Sequence, residues 1–298
     1  MAGDLDDRSF KGERMRLGAV IRWSANRVLN LGRSITTRCT GGHRSEFLIV
    51  PLPSWRHGER DVRPLLSRVA HAGPQNRRRL VSKVQTQADE MMKRHGFLGV
   101  PRETFEVGGR AQLVRLLSHG LTPESKVLDI GCGCLRVAYW LVRFLDSDCY
   151  CGIEPVRQRV DYGKQYLFTS EELEQKRPRF DFNARFDSSI FATKFDFFLA
   201  GSIWTHGSKR HIETTLDSFQ RDTVPTGVFL ASYLPASSPD EDYAGEPWVG
   251  TSHESETPGV IRHSLAWITS VCSPRGLKVV ELPGIDCDSQ YWLRIDRQ

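Results

Sequence analysis

Asp129, Gly131, Gly133 and Glu154 are residues whose types and spacing could hold a small charged ligand. The first three lie in Val127-Leu128-Asp129-Ile130-Gly131-Cys132-Gly133-Cys134-Leu135-Arg136, an apolar run that turns through glycines toward a helical stretch. Glycine admits positive φ and removes the side chain that would hold a ligand off the backbone, while the N–H groups opening a helix favour an anionic group. Glu154 closes the next apolar run, 25 residues after Asp129, where an acid can accept both hydroxyls of a ribose. A dinucleotide would call for G-x-G-x-x-G, but the third glycine position is Arg136, a bulky cation where close helix–strand packing is needed. Asp129, ahead of the first glycine, suits instead a cofactor carrying a cationic amino group.

These residues need a frame. After Thr104 short apolar runs alternate with amphipathic stretches, the signature of a parallel sheet covered by helices on both faces. The pattern predicts strands at 126–130, 149–154, 180–183, 195–200 and 227–234, with helices at 135–145, 156–168 and 208–220. The runs 277–282 and 290–295, separated by Pro283-Gly284-Ile285-Asp286, read as a closing antiparallel hairpin.

Val127–Gly133 resembles motif I of class I S-adenosylmethionine (SAM)-dependent methyltransferases, and Cys151-Gly152-Ile153-Glu154 resembles the end of their second strand. The resemblance covers roughly two thirds of the chain. It implies SAM as cofactor, with Gly131 and Gly133 beside its methionine part and Glu154 on its ribose. It also implies a Rossmann-like, mostly parallel seven-stranded sheet of order 3-2-1-4-5-7-6, strand seven antiparallel, which accounts for the hairpin. The usual third glycine of motif I is replaced by Leu135. Phe180-Asp181-Phe182-Asn183-Ala184 resembles the family's third strand, which points to Asn183, or else Asp187, at the adenine amine. Phe195–Ser202 resembles motif IV, whose backbone at Ala200 and Gly201 passes the cofactor.

His206 follows the fourth strand, where ligands gather in open α/β sheets, and its ordinary pKa near 6.5 suits proton removal from an acceptor. It could equally cap the next helix or pack beneath the cofactor. The resemblance also makes Trp248, Tyr243, His253 and the group Gln290-Tyr291-Trp292 candidate acceptor-pocket residues, with Trp248 preferred over Trp292 because it lies in a Gly- and Pro-containing loop. The resemblance implies methyl transfer to an oxygen or nitrogen of a small molecule. A methyltransferase acting on RNA or another polymer, or a non-catalytic SAM-binding module, are the alternatives.

Charge separates two parts: residues 1–100 carry 19 Lys and Arg against 9 Asp and Glu, and residues 101–298 carry 22 against 27. The chain therefore reads as a basic, partly helical N-terminal extension over 1–103 and a methyltransferase domain over 104–298. Nucleic acid is a possible partner of the basic arm but is not favoured, because no aromatics interleave Arg77-Arg78-Arg79. Residues 39–60 read as a linker, and Gln75–His95 as a helix. No stretch approaches the roughly 18 apolar residues that cross a bilayer, and the acidic start argues against a targeting leader despite the Arg-rich run after Arg14, so a cytoplasmic location is expected. Seven cysteines suit reduced thiols. Cys132-x-Cys134 and Cys149-x-Cys151 prompt a zinc site, but Cys151 falls roughly 10 Å short of the strand end that meets the glycine loop, and no metal is expected.

Overall fold

The computed structural model describes residues 82–298. The expected linker, the Arg77–Arg79 run and the start of the helix predicted from Gln75 lie outside the described residues. In chain order the elements are α1 (Lys83–His95), α2 (Phe105–Ser118), β1 (Val127–Ile130), α3 (Ala138–Phe144), β2 (Tyr150–Ile153), α4 (Arg157–Leu167), α5 (Ser170–Lys176), β3 (Arg179–Asp181), β4 (Phe195–Ala200), α6 (Lys209–Asp222), β5 (Thr223–Tyr233), α7 (Leu265–Cys272), β6 (Leu277–Leu282) and β7 (Tyr291–Arg297).

β1 and β2 are buried at every position, as strands covered on both faces must be. They are central in a seven-stranded sheet of order β3-β2-β1-β4-β5-β7-β6. Pairing is parallel from β3 through β5, and β7 runs antiparallel to both β5 and β6. This is the arrangement the resemblance implied. The hairpin closes with Leu282 opposite Trp292, and β7 then lies along β5 with Tyr291 opposite Tyr233. Two apolar cores flank the sheet. One is built with α1 to α4 and contains Phe105, Leu141 and Phe144; the other is built with α6 and α7 and contains Phe198, Phe219 and Ile268.

α1 belongs to this unit. Val84, Ala88, Met91 and Met92 form a buried helical stripe, Gln87 donates to the Tyr166 carbonyl at 2.8 Å, and His95 stacks on Tyr162 at 3.7 Å. The packed unit thus includes residues ahead of Thr104, where the sequence suggested a boundary. α2 was not foreseen because Gly108-Gly109 interrupts it, and paired glycines disfavour a helix interior. Their purpose is clearance. A Cβ on Gly109 would lie 2.4 Å from the Arg136 carbonyl oxygen, and one on Gly108 2.7 Å from Arg136 Nη1.

The loop from Gly131 to Val137 delays α3 by three residues relative to the predicted helix. Gly131, Gly133 and Leu135 all take positive φ, at 68°, 52° and 68°. Leu135 therefore keeps the left-handed backbone of the missing third glycine, at a strain of about 1–3 kcal/mol for a non-glycine residue. Its fully buried side chain occupies space that a neighbouring glycine leaves open: a Cβ on Gly163 of α4 would stand 2.6 Å from Leu135 Cγ and 2.7 Å from the Cys134 carbonyl oxygen.

Candidate active site

β1 and β4 are neighbours in the sheet while the chain leaves them toward opposite sides, and the crevice outside their carboxyl ends holds a cavity of about 280 Å³. It runs along the strand ends from the turn after β3, past Glu154 and the glycine loop, to Gly201 and Ser202 after β4.

Asp129 ends β1 almost fully buried. Tyr150 donates its phenol hydrogen to one carboxylate oxygen at 2.7 Å, and the other oxygen has no hydrogen-bond partner among the described residues. Burial pushes its pKa up to about 7, against the lowering effects of the Tyr150 hydrogen bond and of Arg136. Glu154 is equally buried and accepts the Gly133 N–H and the Val156 N–H, each at 3.0 Å, with Arg159 3.5 Å away. Burial raises its pKa, while Arg159 and the two N–H groups oppose the rise. The carboxylate thereby fixes the glycine loop and keeps lone pairs for a further ligand.

Gly131 presents bare backbone to the cavity: a Cβ there would stand 2.0 Å from Ile203 Cδ1. Arg136 lies on the same wall and pairs with Asp288 at 2.7 Å, both side chains under one-tenth exposed. Thr104 donates to the second Asp288 oxygen at 2.8 Å. This links the glycine loop, the β6–β7 turn and the start of α2.

Of the residues expected from sequence, Asp129, Gly131, Gly133, Glu154, Gly201 and His206 line this cavity together, and so do Trp248 and His253. Asn183 does not. Its amide nitrogen donates to Asp181 and to the Asp187 carbonyl, and its oxygen accepts the Asp187 N–H, so the side chain closes its own turn while Phe186 reaches the cavity. Asp187, the second choice, pairs with Arg221 and likewise stays off the wall. Ala200 is buried inside β4, and Tyr243, Tyr291 and Trp292 are not part of the lining.

His206 is enclosed by the segment after β5. Its Nδ1 contacts the Val249 carbonyl at 2.7 Å, its ring lies nearly parallel to Trp248, and Gly250 leaves room for it, since a Cβ there would meet Nδ1 at 2.4 Å. A carbonyl only accepts, so Nδ1 carries the hydrogen and Nε2 the lone pair in the neutral ring. Burial lowers the pKa, with the Val249 and Gly259 carbonyls opposing. Trp248 in turn packs on Phe186 and His253, which ties this cluster to the β3 side of the cavity. The lining residues that the sequence reading passed over include Phe97, Gly99 and Val100, Gln112, Arg159, Phe186, and Gly250 to Ser252 with Pro258 and Gly259. The glycine pairs at 108–109 and within Gly96–Gly99 were the available signal for the first group.

No protein-family profile matches the chain. Among solved structures it is similar to magnesium protoporphyrin IX methyltransferase from Synechocystis with bound SAM, at 12% identity over 82% of this chain and 100% of that one, TM-score 0.48. It is also similar to a TehB-like SAM-dependent methyltransferase from Corynebacterium glutamicum, at 18% identity over 72% and 99%, TM-score 0.44. The strand order and register define the fold without these likenesses: it is a Rossmann-like, mostly parallel seven-stranded sheet with one antiparallel strand. Among the described residues no helix is long and apolar enough to cross a membrane.

Proposed function

We propose that this protein binds SAM and transfers its methyl group to an oxygen or nitrogen of a small-molecule acceptor. The observation that carries this reading is the convergence of Asp129, the bare Gly131–Gly133 backbone and Glu154 on one cavity, in the order that an ammonium, an amino-acid backbone and a ribose require. The donor set fits the cofactor. Asp129 has a free oxygen for a cationic amino group, Glu154 has acceptor capacity for two hydroxyls, and Arg136 offers positive charge to a carboxylate. When bound, SAM supplies a methyl group already activated on a sulfonium. The protein has then to orient the acceptor in line and exclude water, which is a large share of such catalysis.

Thermal shift tests the reading directly. SAM and S-adenosylhomocysteine (SAH) should raise the melting temperature by mass action while NAD does not. Glu154→Ala should weaken SAM by about 1–3 kcal/mol, the scale of hydrogen bonds to a charged group. Stronger protection by NAD than by SAM would move the site to another cofactor class.

Asp129 makes SAM affinity pH-dependent. Only its ionised form attracts the ammonium group, so affinity is fully developed above the pKa of about 7 and falls as pH drops below it. The decline is at most about tenfold per pH unit. Calorimetry between acid and alkaline buffers should show it, and Asp129→Asn should bind weakly with a flat profile.

His206, the residue expected to act as a base, is better read as part of the wall. Its hydrogen bond to Val249 and its stacking on Trp248 both support packing. His206→Ala should lower thermal stability yet leave turnover within a few-fold of wild type and the pH–rate profile unchanged. A loss of roughly 10²–10⁴-fold with a missing acidic limb would restore the general base.

A further inference from the structure

This inference rests on the SAM reading above and concerns the acceptor. With a ribose at Glu154 and an ammonium at Asp129, the reacting end of the cavity is the β4 end, at Gly201 and Ser202. Polar groups from three separate elements meet there. The Ser202 N–H donates to Ser232 Oγ at 2.7 Å, the Ser232 hydroxyl donates to Gln290 Oε1 at 2.6 Å, and Gln290 Nε2 donates to Ser202 Oγ at 2.7 Å. In this ring two hydrogens are left over, that of the Ser202 hydroxyl and the second on Gln290 Nε2, and neither has an acceptor among the described residues. Ser232 is fully buried and Gln290 nearly so, so the ring is held rigid. Ser202 is also held at φ 61°, where a serine is strained.

Gln112 of α2 is the second donor. It is buried, it lines the cavity, and it makes no hydrogen bond within the described residues. Its Nε2 sits 2.5 Å from where a Cβ on Gly201 would stand, which places it against the residue next to Ser202. Among the described residues, none of the groups that meet here, Ser202, Ser232, Gln290 and Gln112, is a base. The lining histidines His206 and His253 belong to the Trp248 cluster, and Asp129 is committed to the cofactor's ammonium.

Unspent hydrogen-bond donors with no base among them suit an acceptor that takes hydrogen bonds and has no proton to lose, as a carboxylate anion does. We infer that the methyl acceptor is the carboxylate of a small organic acid, oriented by the Ser202 hydroxyl and the Gln112 amide, and that the product is its methyl ester. A carboxylate oxygen forms the bond to the methyl carbon as the carbon–sulfur bond breaks. The electron pair of that bond stays on sulfur, giving neutral SAH, and no proton moves. An amine or phenol would need a base to finish or begin the reaction.

The test incubates the full chain with SAM labelled in its methyl group and the small-molecule fraction of a cell extract, then treats the labelled product with alkali. A methyl ester releases labelled methanol. At saturating SAM, where the pH dependence of cofactor affinity through Asp129 no longer shows, the rate should be flat between pH 6 and 8, since carboxylic acids ionise near pH 4. Ser202→Gly removes the hydroxyl while suiting the backbone, and Gln112→Glu sets like charge against the acceptor. Each should lower kcat/KM for the isolated acid by roughly 10- to 150-fold and weaken its binding to the SAH complex, with the SAH-induced thermal shift preserved. Label that survives alkali, a rate that climbs with pH, no transfer at all by protein that binds SAH, or wild-type behaviour of both variants overturns the carboxylate assignment. Absence of any SAH-induced shift in the wild type sinks the SAM reading instead.

Discussion

Gly131→Val is expected to abolish the rise in melting temperature that saturating SAM gives the wild-type protein. Gly131 sits at φ 68°, where a β-branched residue is strained, and its N–H is fixed on the Ile153 carbonyl at 2.8 Å. A Cβ there would lie 2.0 Å from Ile203 Cδ1 and 2.9 Å from Cγ1. Ile203 lines the cavity, so its side chain can give way only into the space the cofactor would fill or by moving the loop after β4. Whether the side chain, the loop or the glycine backbone shifts, the surface that meets the cofactor is lost. The stabilisation at stake is about 2.7 kcal/mol at a ligand concentration of 100 times Kd. Folding of the variant is checked by near-ultraviolet dichroism before SAM is added. A folded variant with a wild-type shift would mean that no cofactor approaches this backbone.

Asp288→Ala should be among the most destabilising single changes outside the apolar cores. It leaves Arg136 buried, 5% exposed, with its ion-pair partner removed, and it also strands the Thr104 hydroxyl. Breaking a buried pair from one side costs about 3–5 kcal/mol, because the remaining charge stays desolvated. Urea unfolding measures it. The double change Arg136→Met with Asp288→Leu should recover most of that loss, since replacing both partners of a buried pair by apolar groups is often neutral. It should still bind SAM less tightly, because the cavity loses a cation. If Asp288→Ala unfolds at the wild-type urea concentration, the pair is not holding the glycine loop to the β6–β7 turn.

Much of the fold was legible in the sequence because its central strands carry their signal locally. β4 and β6 were located to the residue, since their flanking turns and apolar runs are sharp. Asp129, Gly131, Gly133 and Glu154 were legible for the same reason, each being tied to the end of a recognisable strand. The rest depends on side-chain contacts that the local pattern does not show, most of them distant in the chain. α2 looked unlike a helix because Gly108 and Gly109 answer to Arg136 instead of to their own helix. Asn183 was a reasonable adenine ligand by position, but Asp181 and Asp187, its own neighbours, consume its amide. The role of Gln112 could not be seen without knowing that α2 crosses the end of β4. Leu135 in place of glycine looked like a defect in the loop until Gly163 was found to clear the space for it.

The adjacency of β1 and β4 bears on how quickly the site can come into being. Asp129 lies opposite Leu199 across a pairing that spans 70 residues of chain, and Gln112 arrives from still further upstream. Closing loops of that length precedes any contact that rewards it, which makes such parallel pairings slow steps in folding. The crevice therefore has no local precursor: neither the half ending at β3 nor the half beginning at β4 contains both walls. On the proposed reading, SAM would meet its pocket only on chains in which β1 and β4 have already paired. In consequence the ligand can prolong the life of the native protein while leaving the rate at which new chains reach it unchanged.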